Sequence, residues 1–209
     1  MKINAIRFNN KKSVMTGQES ELKALILFSA LFACGMIIGA GIFNADIGTT
    51  NFIKNILNDM FLINESGAAA NVLLNSLIIN IGLLIFLVFM GLNCTGIPVI
   101  IVSIFMKGVG FGIIAGYLFC EFSLSGIGYY LMIIMPAGIL LCTSFIISGI
   151  YSYFMAFDLI RILYGRKSAE KKLIIDYCIK MMPCVIVTII ASLLGVFLRT
   201  AFSGLFDLI

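Results

Sequence analysis

Residues Gly96–Phe119 form an apolar run broken by one charge, Lys107, close to its middle. About 20 apolar residues in a helix cross the hydrocarbon core of a bilayer, so this run is long enough to span one. Directly after the lysine, Gly108, Gly112 and Gly116 recur every fourth residue. At helical pitch the three share one face, where a second helix can approach closely. A cation beside a smooth glycine stripe is a poor surface to show to lipid. The run therefore reads as the centre of a helical bundle.

Composition supports a lipid solvent. Of 209 residues, 61% are hydrophobic and 11% charged. A soluble domain carries about 25% charged residues, and its core could not hide this much apolar surface. The net charge of +4 then bears on membrane sidedness rather than on nucleic acid. The polar N-terminus and the length of the first apolar run, Leu22–Phe43, argue for a retained anchor rather than a cleaved signal.

Taken in order, residues 1–21 read as a flexible basic tail ahead of a single transmembrane domain over 22–209. The first crossing, Leu22–Phe43, carries Gly35 and Gly39 as a small-xxx-small pair. In the following segment Phe52, Ile53, Ile56, Leu57 and Met60 recur at helical spacing against a polar back. An amphipathic helix lying on the membrane surface, a lid on the bundle and a partner-docking element all fit that pattern. The second crossing, about Val72–Leu92, holds Asn75 and Asn80 among aliphatics, where they can hydrogen-bond across helices. A tight turn through Gly96 leads into the third crossing, with Pro98 in its first turn, where a missing N–H costs little.

The next run, Gly126–Phe157, is too long for one upright helix. Pro136 interrupts it, and proline removes a hydrogen bond and clashes with the preceding turn. The expectation is a half-helix over Gly126–Met135, then a crossing from Ala137, with freed carbonyls around Met132–Met135 as partners for Lys107. A basic loop over 158–182 and a fifth crossing, Pro183–Leu205, complete an all-α bundle of five transmembrane helices with a proline-broken fourth. The N-tail up to Lys23 holds five Lys/Arg and the 158–182 loop six, so eleven of fourteen lie on one side. The positive-inside rule puts that side in the cytoplasm and the C-terminus outside.

Catalytic groups are scarce. There is no histidine, which removes the commonest general base and any His-x-x-x-His zinc motif. The six cysteines form no Cys-x-x-Cys pair, so no metal site is expected, nor any cofactor. No pair of acids lies within the apolar runs, and the helical glycines are no phosphate loop. The chain reads as a non-enzyme. Lys107 is the strong intramembrane signal, because a cation at mid-bilayer costs about 2.5–3.5 kcal/mol on insertion scales. It is either a bundle-facing lysine satisfied within the protein or a binding or permeation site.

The residues Gly91-Leu92-Asn93-Cys94-Thr95-Gly96-Ile97-Pro98, then Phe105-Met106-Lys107-Gly108 with Gly112 and Gly116, then Met135-Pro136, resemble the stage II sporulation protein M family over about Gly91–Leu159. The chain departs from that family's pattern in having Ala137-Gly138 after the proline and no tryptophan. The resemblance implies a multi-pass protein of the septal and engulfing membrane of endospore formers. There it would be a scaffold in a peptidoglycan-remodelling complex, anchoring stage II sporulation proteins D and P. The alternative from the residues is a small transporter, or a transporter's membrane subunit, using Lys107 and the break at Pro136.

Overall fold

Lipid as solvent leaves apolar side chains facing outward, and the computed structural model of the chain shows that sorting. It describes residues 2–42, 69–165 and 171–202. Among these every element is helical: α1 (Lys2–Ile42), α2 (Ala69–Gly91), α3 (Gly96–Tyr129), a π-helical turn (Tyr130–Ile134), α4 (Met135–Leu163) and α5 (Lys171–Phe202). Five helical stretches are long and apolar enough to cross a membrane. Large apolar side chains such as Ile37, Ile78, Phe89 and Phe197 stand on the outside of the bundle, each more than 60% exposed. In water such a surface would be an aggregation site; in a bilayer it is the lipid contact.

Helical hydrogen bonding begins at Lys2, so it runs through the segment expected as a flexible tail. Likewise α5 starts at Lys171 and carries Pro183 in its interior, so the expected basic loop over 158–182 is helical at both ends. The amphipathic segment with Phe52, Ile53, Ile56, Leu57 and Met60 lies outside the described residues.

Helical bonding continues from Gly96 to Tyr129, yet the axis folds back on itself. Phe119 and Tyr130 would be about 16 Å apart along a straight helix, and their ring centroids lie 5.6 Å apart. Gly126 sits against the Leu118 carbonyl, where a side chain would collide. The third and fourth crossings, Gly96–Cys120 and Ser125–Leu163, are thus joined by a tight reversal. Buried Tyr117, Leu118, Tyr129 and Tyr130 cluster around it.

The expected break at Pro136 takes another form. Pro136 has no N–H for the carbonyl one turn back. The chain meets this with the π turn at Tyr130–Ile134, where the Met135 N–H donates to the Tyr130 carbonyl. Widening the turn by one residue keeps the helix continuous, as single π turns do within α-helices. There is no separate half-helix, and Pro136 itself lies exposed on the bundle surface.

The most extensive helix contact is between α1 and α3. Gly35 and Gly39 of α1 meet Phe105 and Val109 of α3, while Gly108 and Gly112 of α3 meet Phe32 and Met36 of α1. A methyl group at Gly35 would fall 2.5 Å from the Phe105 carbonyl oxygen. The pairings rise together in both helices, so the two run parallel, as first and third crossings must. Gly116 is also buried in α3. Beside this seam, Phe28, Phe32, Leu87, Ile100, Ile104 and Phe145 form the main apolar core.

Candidate functional site

Lys107 and Gly108 are neighbours in sequence, and one helical step of about 100° separates their directions. Gly108 faces α1. Lys107 turns to the other side, towards α2, where its Nζ donates to Asn80 Oδ1 at 3.0 Å. The Asn80 amide in turn donates to Ser76 Oγ at 3.3 Å and to Ser192 Oγ of α5 at 3.4 Å. The lysine Nζ also lies 5.7 Å from the Phe145 ring centroid and 5.9 Å from that of Phe111. Both are within the range in which a ring face attracts a cation. Lys107 is therefore held by an amide and two aromatic faces, not by carbonyls of Met132–Met135 as expected.

These groups line a cavity of about 600 Å³ between α2, α3, the π turn, α4 and α5. Its polar wall is Asn75, Ser76, Asn80, Lys107, Ser192 and Arg199. Its apolar wall includes Phe111, Ile133, Ile134 and Ala137. The widened π turn thus contributes to the site while Pro136 does not. None of the lining residues is acidic.

The direction of the cavity follows from the helix pairing. Asn80 meets Ser192 while Val88 meets Tyr177, so α2 and α5 run antiparallel. The cavity therefore extends from Lys107 and Asn80 towards the start of α2 and the end of α5, where Asn75 and Arg199 line it.

The remaining expected site residues lie elsewhere. Gly96 approaches the Met90 carbonyl in the turn between α2 and α3, where a side chain would clash. Its N–H donates to the Asn93 carbonyl at 3.0 Å. Pro98 is exposed in the first turn of α3. It shares with Lys107 an apolar depression of about 560 Å³ between α2 and α3.

A second polar feature was not anticipated. Ser144, Ser148 and Ser152 fall on one face of α4 and are all buried. Ser144 Oγ donates to the Cys184 carbonyl at 2.8 Å and lies 2.9 Å from Thr188 Oγ1. Ser152 Oγ lies 2.9 Å from Tyr177 Oη, and that hydroxyl reaches the Val88 carbonyl at 3.4 Å. These bonds tie α4 to α5 and α2. Their four-residue spacing was the available signal. Among the described residues no buried side-chain polar atom lacks a partner, and no cluster of three or more metal-ligating groups occurs.

Crossings of this length, with polar groups turned inward and apolar ones outward, define a multi-pass membrane protein of helical-bundle type. The sequence model of the stage II sporulation protein M family matches residues 27–198. The chain belongs to that family, a sporulation-related group of membrane proteins, and the match takes in all five crossings. No curated protein and no solved structure matches the chain.

Proposed function

We propose that the protein is a non-enzymatic membrane scaffold of the sporulation engulfment machinery. In this reading it anchors peptidoglycan-remodelling partners, stage II sporulation proteins D and P, at the septal and engulfing membrane. The observation that carries the reading is family membership over residues 27–198. The inside of the bundle supports it: the polar groups there are donors and acceptors already paired with one another. They serve helix packing, and none stands as a nucleophile beside a base. The N-terminus and the 164–170 connection lie in the cytoplasm, and the C-terminus and the segment after α1 lie on the wall side.

The cavity at Lys107 favours one second reading, a small transporter or the membrane subunit of one. Pull-down of the tagged full-length protein from sporulating cells tests the first. Recovery of stage II sporulation proteins D and P supports the scaffold, and their absence from a well-populated membrane fraction overturns it. Lys107→Met separates the two readings. Lost recruitment at a normal membrane level favours a scaffold, and lost solute flux with partners still bound favours transport.

A further inference from the structure

We infer that the cavity between α2, α3, α4 and α5 binds a small monocarboxylate, its carboxylate held by Lys107 and Ser192 and its apolar part laid along the apolar wall. Lys107 lies 11 residues into α3, counted from Gly96. That is about 16 Å along the helix, near half the thickness of a bilayer core. At such a depth a charge is costly unless something cancels it. The partners of Lys107 are the neutral amide oxygen of Asn80 and the rings of Phe111 and Phe145. None of the described residues that line the cavity is acidic. The ammonium has three N–H donors, and Asn80 takes one. Ser192 also lines the cavity and is 2% exposed. Its Oγ accepts from the Asn80 amide, which leaves its hydroxyl hydrogen to be given. These two donors offer a bond to each oxygen of a carboxylate, and the bond from the lysine is charge-assisted.

Charge and shape select this class of ligand. Lys107 supplies one positive charge, and a carboxylate brings one negative charge. A phosphate group brings about 1.5–2, more than that cation cancels. Arg199, farther out along the wall, already has an interaction of its own and is not counted among the ligand's partners. An inorganic anion would leave Phe111, Ile133 and Ala137 without contact, whereas an alkyl or aryl group covers them. The volume of about 600 Å³ falls within the range of about 300–1,000 Å³ typical of small-molecule pockets. The Lys107 Nζ sits between Asn80 and Phe145, both buried in the bundle. That position favours a small ligand over an acidic residue on a neighbouring membrane helix. The inference goes beyond the scaffold reading and does not depend on it, since its readout is bound carboxylate and not recruitment.

The test uses the full-length protein in phosphatidylcholine nanodiscs, with radiolabelled hexanoate as the probe and empty nanodiscs as the blank. Equilibrium dialysis shows saturable binding near one hexanoate per protein. Lys107→Met weakens it by about tenfold or more and Ser192→Ala by about threefold or more, the scale of losing hydrogen bonds to a charged group. Lys180→Gln, which removes a cation beside Tyr151 and away from the cavity, leaves it unchanged. Unlabelled benzoate competes, whereas hexanol, hexylamine and inorganic phosphate do not. Competition by hexanol as strong as that by hexanoate overturns the inference, because the pocket then selects for apolar surface alone. Equal competition by phosphate also overturns it, and both results are read on the wild type without any variant. So does the absence of saturable binding of both hexanoate and benzoate, and so does unchanged binding in Lys107→Met protein that elutes as a monodisperse peak. Capture of another protein's membrane helix by a photoreactive residue in place of Ile133 overturns it too.

Discussion

Lys107 shows how one residue's consequence depends on what its neighbours offer. Its charge costs about 2.5–3.5 kcal/mol at mid-bilayer on insertion scales, and Asn80 is the group that receives it. The two substitutions that break this contact are therefore unequal. Lys107→Met removes the cation and leaves the Asn80 amide N–H groups bonded to Ser76 and Ser192 while its Oδ1 loses its donor, so the thermal midpoint in detergent should fall less than in Asn80→Leu. Asn80→Leu leaves the cation behind without its acceptor and should destabilise by about 1–3 kcal/mol. Unfolding in mixed micelles compares them, and a larger loss for Lys107→Met would show that the asparagine is not the anchor. The lysine's importance was legible in the sequence because a lone charge in an apolar run has few explanations. Its partner was not. A lysine stem reaches several helices, and the choice between Asn80 and the carbonyls near Pro136 is set by how α2 and α3 rotate about their axes.

At the scale of the element, the α1–α3 seam is defined by what is missing from it. A Cβ at Gly39, Gly108 or Gly112 would collide with the backbone of the facing helix, and backbone cannot swing aside as a side chain can. Gly39→Leu and Gly112→Val should each force the helices apart at a cost of about 1–3 kcal/mol or more. Gly41→Ala and Gly82→Ala, where a Cβ meets open space, should be neutral or slightly stabilising, because alanine favours helix. Thermal melts of the four variants by size-exclusion in detergent decide it, and equal behaviour of both pairs would remove the seam as the reason for these glycines. The glycine spacing was readable because a four-residue repeat of the smallest residue has a direct geometric meaning. Pro136 was readable only in part. Proline declares that one hydrogen bond is absent, not whether the helix breaks or widens, and the π turn took the second course. Ser144, Ser148 and Ser152 have the same spacing as the glycines, but serine also bonds back to its own helix, as Ser148 does to the Phe145 carbonyl. Their spacing alone therefore did not announce a contact with α5.

For the whole molecule, the number and order of crossings followed from hydropathy, because a bilayer admits helices of fixed minimum length and little else. Element ends followed less well. The membrane-facing part of a helix is apolar, but its hydrogen bonding continues into polar sequence, as α1 does back to Lys2 and α5 back to Lys171. Eleven of the fourteen Lys and Arg fall in residues 2–23 and 161–180, so single cysteines placed at 10 and 168 in a cysteine-free background should label only after permeabilisation. Cysteines placed at 55 and 206 should label in intact cells. The opposite pattern would invert the orientation on which the wall-side reading rests. The parallel pairing of α1 with α3 also governs the order of assembly. During synthesis the first helix must enter the bilayer with Gly35 and Gly39 facing acyl chains, and it waits through the whole of the second helix before its mate emerges from the ribosome. Biogenesis thus passes through an unpaired intermediate, and a nascent chain arrested before Gly108 has no means of closing it.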